Sequence, residues 1–231
     1  MFLSVIVSYY NEKESILSNV DKIYKYFHNK FDFEIILIDD GINSELKKNF
    51  SDNKFDNIKI IENKSNYGKG YSIRKGIKYS RGELILLTDA DLSTPIHQFD
   101  KLHKEYLKGN DIVIGSRSMP DSKIKKKQVF LRRLVGRIFN LIVRLFLGLK
   151  LNDTQCGFKL FNGKKIKEII LKCFVNRFCI DAEILFLAKK FNCNIKEVGI
   201  EWHNDNLSSV NLKKDILNML IDLIKIKIKH L

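Results

Sequence analysis

Leu84-Ile85-Leu86-Leu87-Thr88-Asp89-Ala90-Asp91 decides the fold. An apolar run of strand formers ends abruptly on two carboxylates one residue apart, and Leu92-Ser93-Thr94-Pro95 then leads into a helix-like segment. In an α/β sheet, ligands sit at the C-terminal ends of the strands. Two acids placed there repel each other unless something cationic lies between them. A hard divalent cation shared with the phosphates of a bound nucleotide meets that need. The other reading is that Asp91 or Ser93 caps the following helix and Asp89 is solvated.

The same unit recurs on both sides of this stretch. Phe2 to Val7 reads as a buried strand that turns at Ser8-Tyr9-Tyr10-Asn11-Glu12, and apolar residues from Ile16 to Phe27 recur at helical spacing. Phe33 to Ile38 is a second strand ending on Asp39-Asp40-Gly41, and Ile58 to Ile61 a third. Asn66-Tyr67-Gly68-Lys69-Gly70 opens a helix packed through Ile73 and Ile77, which runs out near Tyr79-Ser80. Ile96 to Leu107 follows the opening stretch as a helix, and Asp111 to Gly115 is a fifth strand leading into Ser116-Arg117. Strands alternating with helices predict an α/β fold with a mostly parallel central sheet covered on both faces. The acids ending strands one, two and four then converge on one edge.

The second half has a different texture. Phe130 to Leu151 is helical in period, with Arg133, Arg137, Asn140 and Arg144 along one stripe and Leu134, Ile138, Leu141, Ile142 and Leu145 on the remaining face. Asp153 to Lys159 is a mixed polar loop before a short strand ending near Phe161; Asp181 to Phe191 reads as a helix and Ile195 to Trp202 as a last strand. From Leu212 to Leu231 the chain is again amphipathic, with Lys214, Asn218, Asp222, Lys225 and Lys229 as its polar stripe and Ile216, Leu220, Leu223 and Ile224 facing the other way. Such helices either lie on a membrane surface or pack onto the domain or a partner.

Composition narrows the classes. The 231 residues, 45% hydrophobic, suffice for one substantial α/β domain, and the two prolines, Pro95 and Pro120, mark no linker. A net charge of +14 predicts anionic partners: nucleic acid, a phospholipid surface or a phosphorylated substrate. Cys156, Cys173, Cys179 and Cys193 show no CxxC pair or zinc-finger spacing, and read as reduced thiols of a cytoplasmic protein. Phe2 to Val7 has no basic segment before it, so no signal peptide is expected. Arg137, Arg144 and Lys150 interrupt the greasiest region, so no apolar run approaches the ~20 residues of a membrane span.

Taken in order, Val7-Ser8-Tyr9-Tyr10-Asn11-Glu12, Asp39-Asp40-Gly41, Asn66 to Gly70, Asp89-Ala90-Asp91 and Gly115-Ser116-Arg117 resemble family 2 glycosyltransferases with the GT-A fold. Asp153-Thr154-Gln155-Cys156-Gly157-Phe158-Lys159-Leu160-Phe161 is similar to the dolichyl-phosphate β-glucosyltransferases and their relatives, the dolichol-phosphate mannose synthases. The resemblance spans about residues 3 to 215. It implies a single domain over 1–231: a nucleotide-sugar-binding half (1–118), an acceptor-binding half (119–211) and an amphipathic C-terminal helix (212–231). It implies that Tyr10, Glu12, Asp39 and Asp40 hold the base and ribose, that Lys69 and Ala90 belong to the same donor site, and that Asp89 and Asp91 bind Mg²⁺ or Mn²⁺ and through it the diphosphate. Asp181, followed by Glu183, matches an acidic position that orients sugar or acceptor or acts as a base; its other reading is a helix cap. Ser8 and Ile42 depart from the family pattern, where proline and serine are common, and both flank the nucleotide pocket.

The expected activity is inverting, metal-dependent transfer of a hexose, glucose favoured over mannose, from a UDP- or GDP-sugar to a polyprenyl phosphate. A lipid phosphate is already an anionic nucleophile, so cations that position it matter more than a base. Arg117, Arg132 and Arg133 are the candidates, Arg117 also counting with Asp91 and Asp181 as catalytic. Peripheral attachment to the cytoplasmic face of a membrane is expected. The rival within enzymes transfers to a saccharide hydroxyl; a catalytically silent binding subunit is a further alternative. A nucleic-acid-binding protein would interleave exposed aromatics with its basic residues, whereas these basic stripes lie on greasy helices, so no nucleic-acid partner is expected.

Overall fold

The computed structural model describes residues 1–10, 15–41, 50, 57–126, 130–203 and 212–231. Among them, strand β1 (Phe2–Tyr9), helix α1 (Ile16–Phe27), β2 (Asp32–Asp39), β3 (Ile58–Glu62), α2 (Lys69–Tyr79), β4 (Leu84–Asp89), α3 (Phe99–Tyr106) and β5 (Ile112–Ser116) follow the alternation of apolar runs, with a 3-10 turn at Ile96–Gln98 before α3. Then come β6 (Lys123–Lys126), α4 (Phe130–Leu147), β7 (Lys159–Asn162), α5 (Gly163–Ile170), α6 (Ile180–Lys190), β8 (Ile195–Gly199), β9 (Glu201–His203) and α7 (Leu212–Lys229).

Seven strands form one sheet in the order β3-β2-β1-β4-β7-β5-β8, and β6 pairs with β9 in a small second sheet. Successive strand residues point to opposite faces, which divides the core. Val5, Val7, Leu84, Leu86, Val113 and Leu160 pack against α1 and α3 on one side. Ile6, Ile85, Leu87, Ile112, Ile114 and Phe161 face α2 and the helices of the second half on the other. Both faces are covered, as near-continuous apolar strands require.

The sheet is parallel except at β7, which runs antiparallel to both β4 and β5. An antiparallel strand starts where its neighbours end. Lys159, its first residue, therefore pairs with Leu87 and Ile114 near the C-terminal edge, and the loop before it crosses that edge. A strand from the second half thus completes the sheet of the first. Two further elements were not expected from periodicity: α5, and β6 with the split of the last strand at Ile200, which sends β9 to a different sheet.

Helix α4 also turns differently from the expectation. Phe139, Val143 and Leu147 are its buried residues, and Asn140, placed on the polar stripe, faces inward to hold Asn152 O and Thr154. Leu134, Ile138, Leu141, Ile142 and Leu145 face outward, Leu145 being 75% exposed. In α7, Leu223 and Ile226 join the core that contains Val143 and Leu147, leaving Leu217, Ile221, Ile224 and Ile228 exposed. Each helix therefore packs one apolar edge inward and carries another outward. Among the described residues, no helix is long and apolar enough to cross a membrane.

Candidate active site

Parallel register brings the acids level. Asp89 lies opposite Ser8, and Asp39 opposite Tyr9. At the β2 turn the two carboxylates have different surroundings. Asp40 Oδ1 accepts from Asn63 Nδ2 at 2.7 Å and Tyr67 N at 3.0 Å, and Oδ2 from Gly68 N at 2.8 Å, so it anchors the entry to α2. Asp39 Oδ1 accepts from Gly41 N at 2.8 Å, but its Oδ2 is buried without a hydrogen-bond partner among the described residues. Burial, aided by the nearby Glu62 and Asp40 charges and opposed by the Gly41 bond, pushes the Asp39 carboxyl up to about 6. A buried acceptor left open at a ligand edge fits a base N–H or a ribose hydroxyl.

At the β4 turn, Asp89 Oδ1 meets Lys69 Nζ at 2.6 Å. Burial would raise Asp89, yet the Lys69 ammonium, with Lys159 and Arg117 behind it, holds it below the usual carboxylate range. Asp91 goes the other way: burial and the charge of Asp89 raise it, despite bonds from Ser93 N and Ser93 Oγ, both at 2.8 Å. The turn is tight, with Leu92 at φ 49° and Leu92 N bonded to Asp89 O. Ala90 is buried, and its carbonyl accepts from Asn19 Nδ2 of α1 at 3.0 Å, which fixes the peptide between the two acids. Gly157 presses from above: a Cβ there would run into the Asp89 carboxylate.

The two carboxylates repel each other even with Lys69 paired to Asp89, which fits a divalent cation completed by diphosphate oxygens and water. Among the described residues, no group of three or more His, Cys, Asp or Glu converges as a metal cage. Asp89 and Asp91 would supply two ligands only.

Opposite the acids lies a cationic wall. Arg117 donates Nε and Nη2 to Asp153 at 2.7 and 2.9 Å, its backbone N–H adds a third bond to the same carboxylate, and its guanidinium lies over Trp202. Burial opposes charge in both partners, but each holds the other ionised, Asp153 below its ordinary value and Arg117 above. Glu197 Oε1 in turn accepts from Asp153 N. Lys159, fully buried, pairs with Asp181 and donates to Cys156 O. Asp181 is thus tied to an ammonium. Glu183 accepts from Phe174 N and Val175 N and from His230 Nε2.

Among the residues expected at the site, Asp39, Asp89, Asp91, Lys69, Ala90 and Arg117 lie on the strand-end edge, and Asp40 and Asp181 are there with their charges engaged by scaffold partners. Tyr10 is 40% exposed just past β1. Glu12 lies outside the described residues, as does the side chain of Arg132; Arg133 is on α4, partly buried. Lys159 and Asn19 were not among the expected site residues. Lys159 reads as an ordinary strand-flanking lysine until β7 is known to begin at the sheet's C-terminal edge.

Comparison with known proteins agrees with this geometry. The family model described as Glycosyl transferase family 2 matches residues 4–170. A dolichyl-phosphate beta-glucosyltransferase of Dictyostelium discoideum is 34% identical over 250 residues, covering 100% of this chain and 75% of its own length. The human protein of the same name is 31% identical over 248 residues, covering 99% and 76%. Among solved structures, mannosyl-3-phosphoglycerate synthase from Rubrobacter xylanophilus superimposes with a TM-score of 0.72 at 15% identity, covering 100% of this chain and 74% of that one. Glucosyl-3-phosphoglycerate synthase from Mycobacterium tuberculosis, in complex with Mn²⁺, UDP-glucose and phosphoglyceric acid, gives 0.67 at 17% identity, covering 97% and 79%. A GT-A sheet with acids gathered at its strand ends, in a chain matched along its whole length by such relatives, belongs to glycosyl transferase family 2.

Proposed function

We propose that this chain transfers glucose from a nucleotide diphosphate sugar, UDP-glucose first, to a polyprenyl phosphate, with inversion at the anomeric carbon. The observation that carries the reading is the pairing of the acceptor-side groups. Arg117, held by Asp153 through Nε and Nη2 and backed by Trp202, keeps Nη1 outside that pairing to meet an anion. Asp181, the acid that would take a proton from a hydroxyl acceptor, is neutralised by Lys159. A site with an anchored cation and an engaged base suits an acceptor that arrives already ionised. Relatives named dolichyl-phosphate beta-glucosyltransferase support both the sugar and the lipid phosphate.

In this reading Asp39 accepts from the base or ribose and Lys69 faces the diphosphate. Asp89 and Asp91 would hold Mg²⁺ or Mn²⁺, as the Mn²⁺-bound structural neighbour supports; the ion supplies Lewis-acid stabilisation of charge on the leaving diphosphate. The acceptor phosphate oxygen, steered by Arg117, attacks the anomeric carbon as the bond to the diphosphate breaks, and the nucleoside diphosphate leaves with the electron pair. Arg117 neutralises the incoming phosphate beside the acids.

The outward apolar stripes of α4 and α7, flanked by Arg133, Arg137, Lys225 and Lys229, are assigned to the membrane that holds the acceptor. Basic residues beside an apolar face match the anionic cytoplasmic leaflet. Residues 1–118 form the donor half and 119–211 the acceptor half of one domain, with 212–231 at the membrane.

The test is release of nucleoside diphosphate from a panel of UDP- and GDP-sugars with Mg²⁺ or Mn²⁺ and a polyprenyl phosphate, beside co-sedimentation with anionic vesicles. UDP-glucose turnover that needs the lipid phosphate is expected. Transfer only to a saccharide hydroxyl, dependent on Asp181, overturns the acceptor assignment.

A further inference from the structure

Glu183 has no part in the chemistry just described, yet its carboxyl group is fully buried. A buried carboxylate needs several donors. It accepts from Phe174 N, at 3.1 Å to each oxygen, and from Val175 N at 2.9 Å, both in the segment between α5 and α6, and from His230 Nε2 at 2.9 Å beyond the end of α7. Its place in the first turn of α6 adds the favourable end of the helix dipole.

The segment that Glu183 holds presses against the start of α2. Tyr71 N donates to Asn176 O at 3.0 Å. A Cβ on Gly68 would lie 2.5 Å from Asn176 O, and one on Gly70 would lie 2.6 Å from Val175 O and 2.8 Å from Arg177 O. Both glycines are needed because backbone carbonyls occupy the space of a side chain. Between them stands Lys69, whose ammonium meets Asp89. Arg74, one turn along, donates to Cys173 O and Asn176 Oδ1 and closes the contact from the helix side.

We infer that Glu183 is a positioning residue for the donor diphosphate, acting through the backbone of Phe174 to Arg177 on Gly68-Lys69-Gly70 and so on the placement of Lys69. The inference rests on the reading of Lys69 as a donor-site cation. Its signature is selective: donor binding weakens and acceptor use does not, because Arg117 and Asp153 lie on other elements.

The experiment measures binding of UDP and GDP to the full chain by calorimetry with Mn²⁺, and Michaelis constants for donor and polyprenyl phosphate, in wild type, Glu183→Gln and Gly70→Ala. Glu183→Gln keeps the volume but replaces one of the two oxygens that accept from Phe174 N, Val175 N and His230 Nε2 with a donor NH2. Gly70→Ala raises helix propensity and introduces a clash with the backbone of Val175 to Arg177, the segment that Glu183 holds. Each variant is expected to weaken nucleotide binding about tenfold, equivalent to 1.4 kcal/mol, with the acceptor KM unchanged. The double variant is expected to lose less than the product of the two, as coupled neighbours do. Unchanged nucleotide affinity in Gly70→Ala overturns the inference even where Glu183→Gln does not fold. A proportional loss of all activity with both KM values intact also overturns it, since that is a loss of folded protein. Wild-type protein that binds neither UDP nor GDP overturns the donor reading itself.

Discussion

Two acidic turns lie at the ends of β2 and β4, on either side of β1, and the structure uses them differently. At Asp39-Asp40, the second carboxylate is spent on three scaffold donors and the first keeps a buried oxygen open. At Asp89-Ala90-Asp91, both carboxylates face the edge, one paired with Lys69 and the other bonded by Ser93. Asp40 is taken up by the scaffold while Asp39 keeps an acceptor open, whereas the turn after β4 leaves Asp89 and Asp91 close enough to repel each other.

The largest effect expected is at Asp89. Asp89→Ala removes the carboxylate proposed to hold the metal and diphosphate and leaves Lys69 without its partner; a loss of roughly 10²–10³-fold in kcat is expected, with the melting temperature close to wild type. A variant that keeps its turnover would break the distinction between the turns. Asp40→Ala is expected to act on folding: it strands Tyr67 N, Gly68 N and Asn63 Nδ2, costing about 2–3 kcal/mol in urea unfolding. If it instead unfolds at the wild-type midpoint and loses only nucleotide affinity, Asp40 belongs with the ligand.

Asp39 gives the pH handle. With its carboxyl raised to about 6, the protonated form is favoured by the fold, and the accepting carboxylate exists above that pH. Donor KM is therefore expected to rise as pH falls through 6, and Asp39→Asn to abolish that inflection in a pH series of initial rates. The same raised value means that ionising Asp39 costs stability as pH climbs from its unfolded value of 3.8 to about 6. Ser93→Ala should be mildest: Asp91 keeps the Ser93 N–H and loses the hydroxyl, a few-fold rise in donor KM at about 0.5–1.5 kcal/mol. A loss as large as that of Asp89→Ala would show that Ser93 itself meets the ligand.

Much of the first half of the chain could be read directly. Apolar runs closing on Tyr10, Asp39, Asp89 and Arg117 carry strand, turn and polar edge in one local pattern, and parallel topology does the rest. The second half resisted for three reasons. β7 is only four residues long and enters the sheet from a distance in the chain. On α4 a stripe of leucines and isoleucines looks the same whether it faces a core or a lipid, and the structure turns Phe139, Val143 and Leu147 inward instead. Glu183 looks like a second site acid, and only its backbone partners show otherwise.

Local chemistry determined by itself where the acids are, that they close strands, and which helices are amphipathic, because hydrophobic period and turn residues are properties of neighbouring positions. Tertiary structure alone decided which charges are available. Whether Asp40, Asp181 or Lys159 meets a ligand or a partner depends on groups between 22 and 28 residues away in the chain, and a buried charge is committed by whichever opposite charge or N–H the fold brings within reach. The acid pair of Asp89 and Asp91 could be seen in the chain; the ammonium and the guanidinium that make it a site could be placed only by folding it.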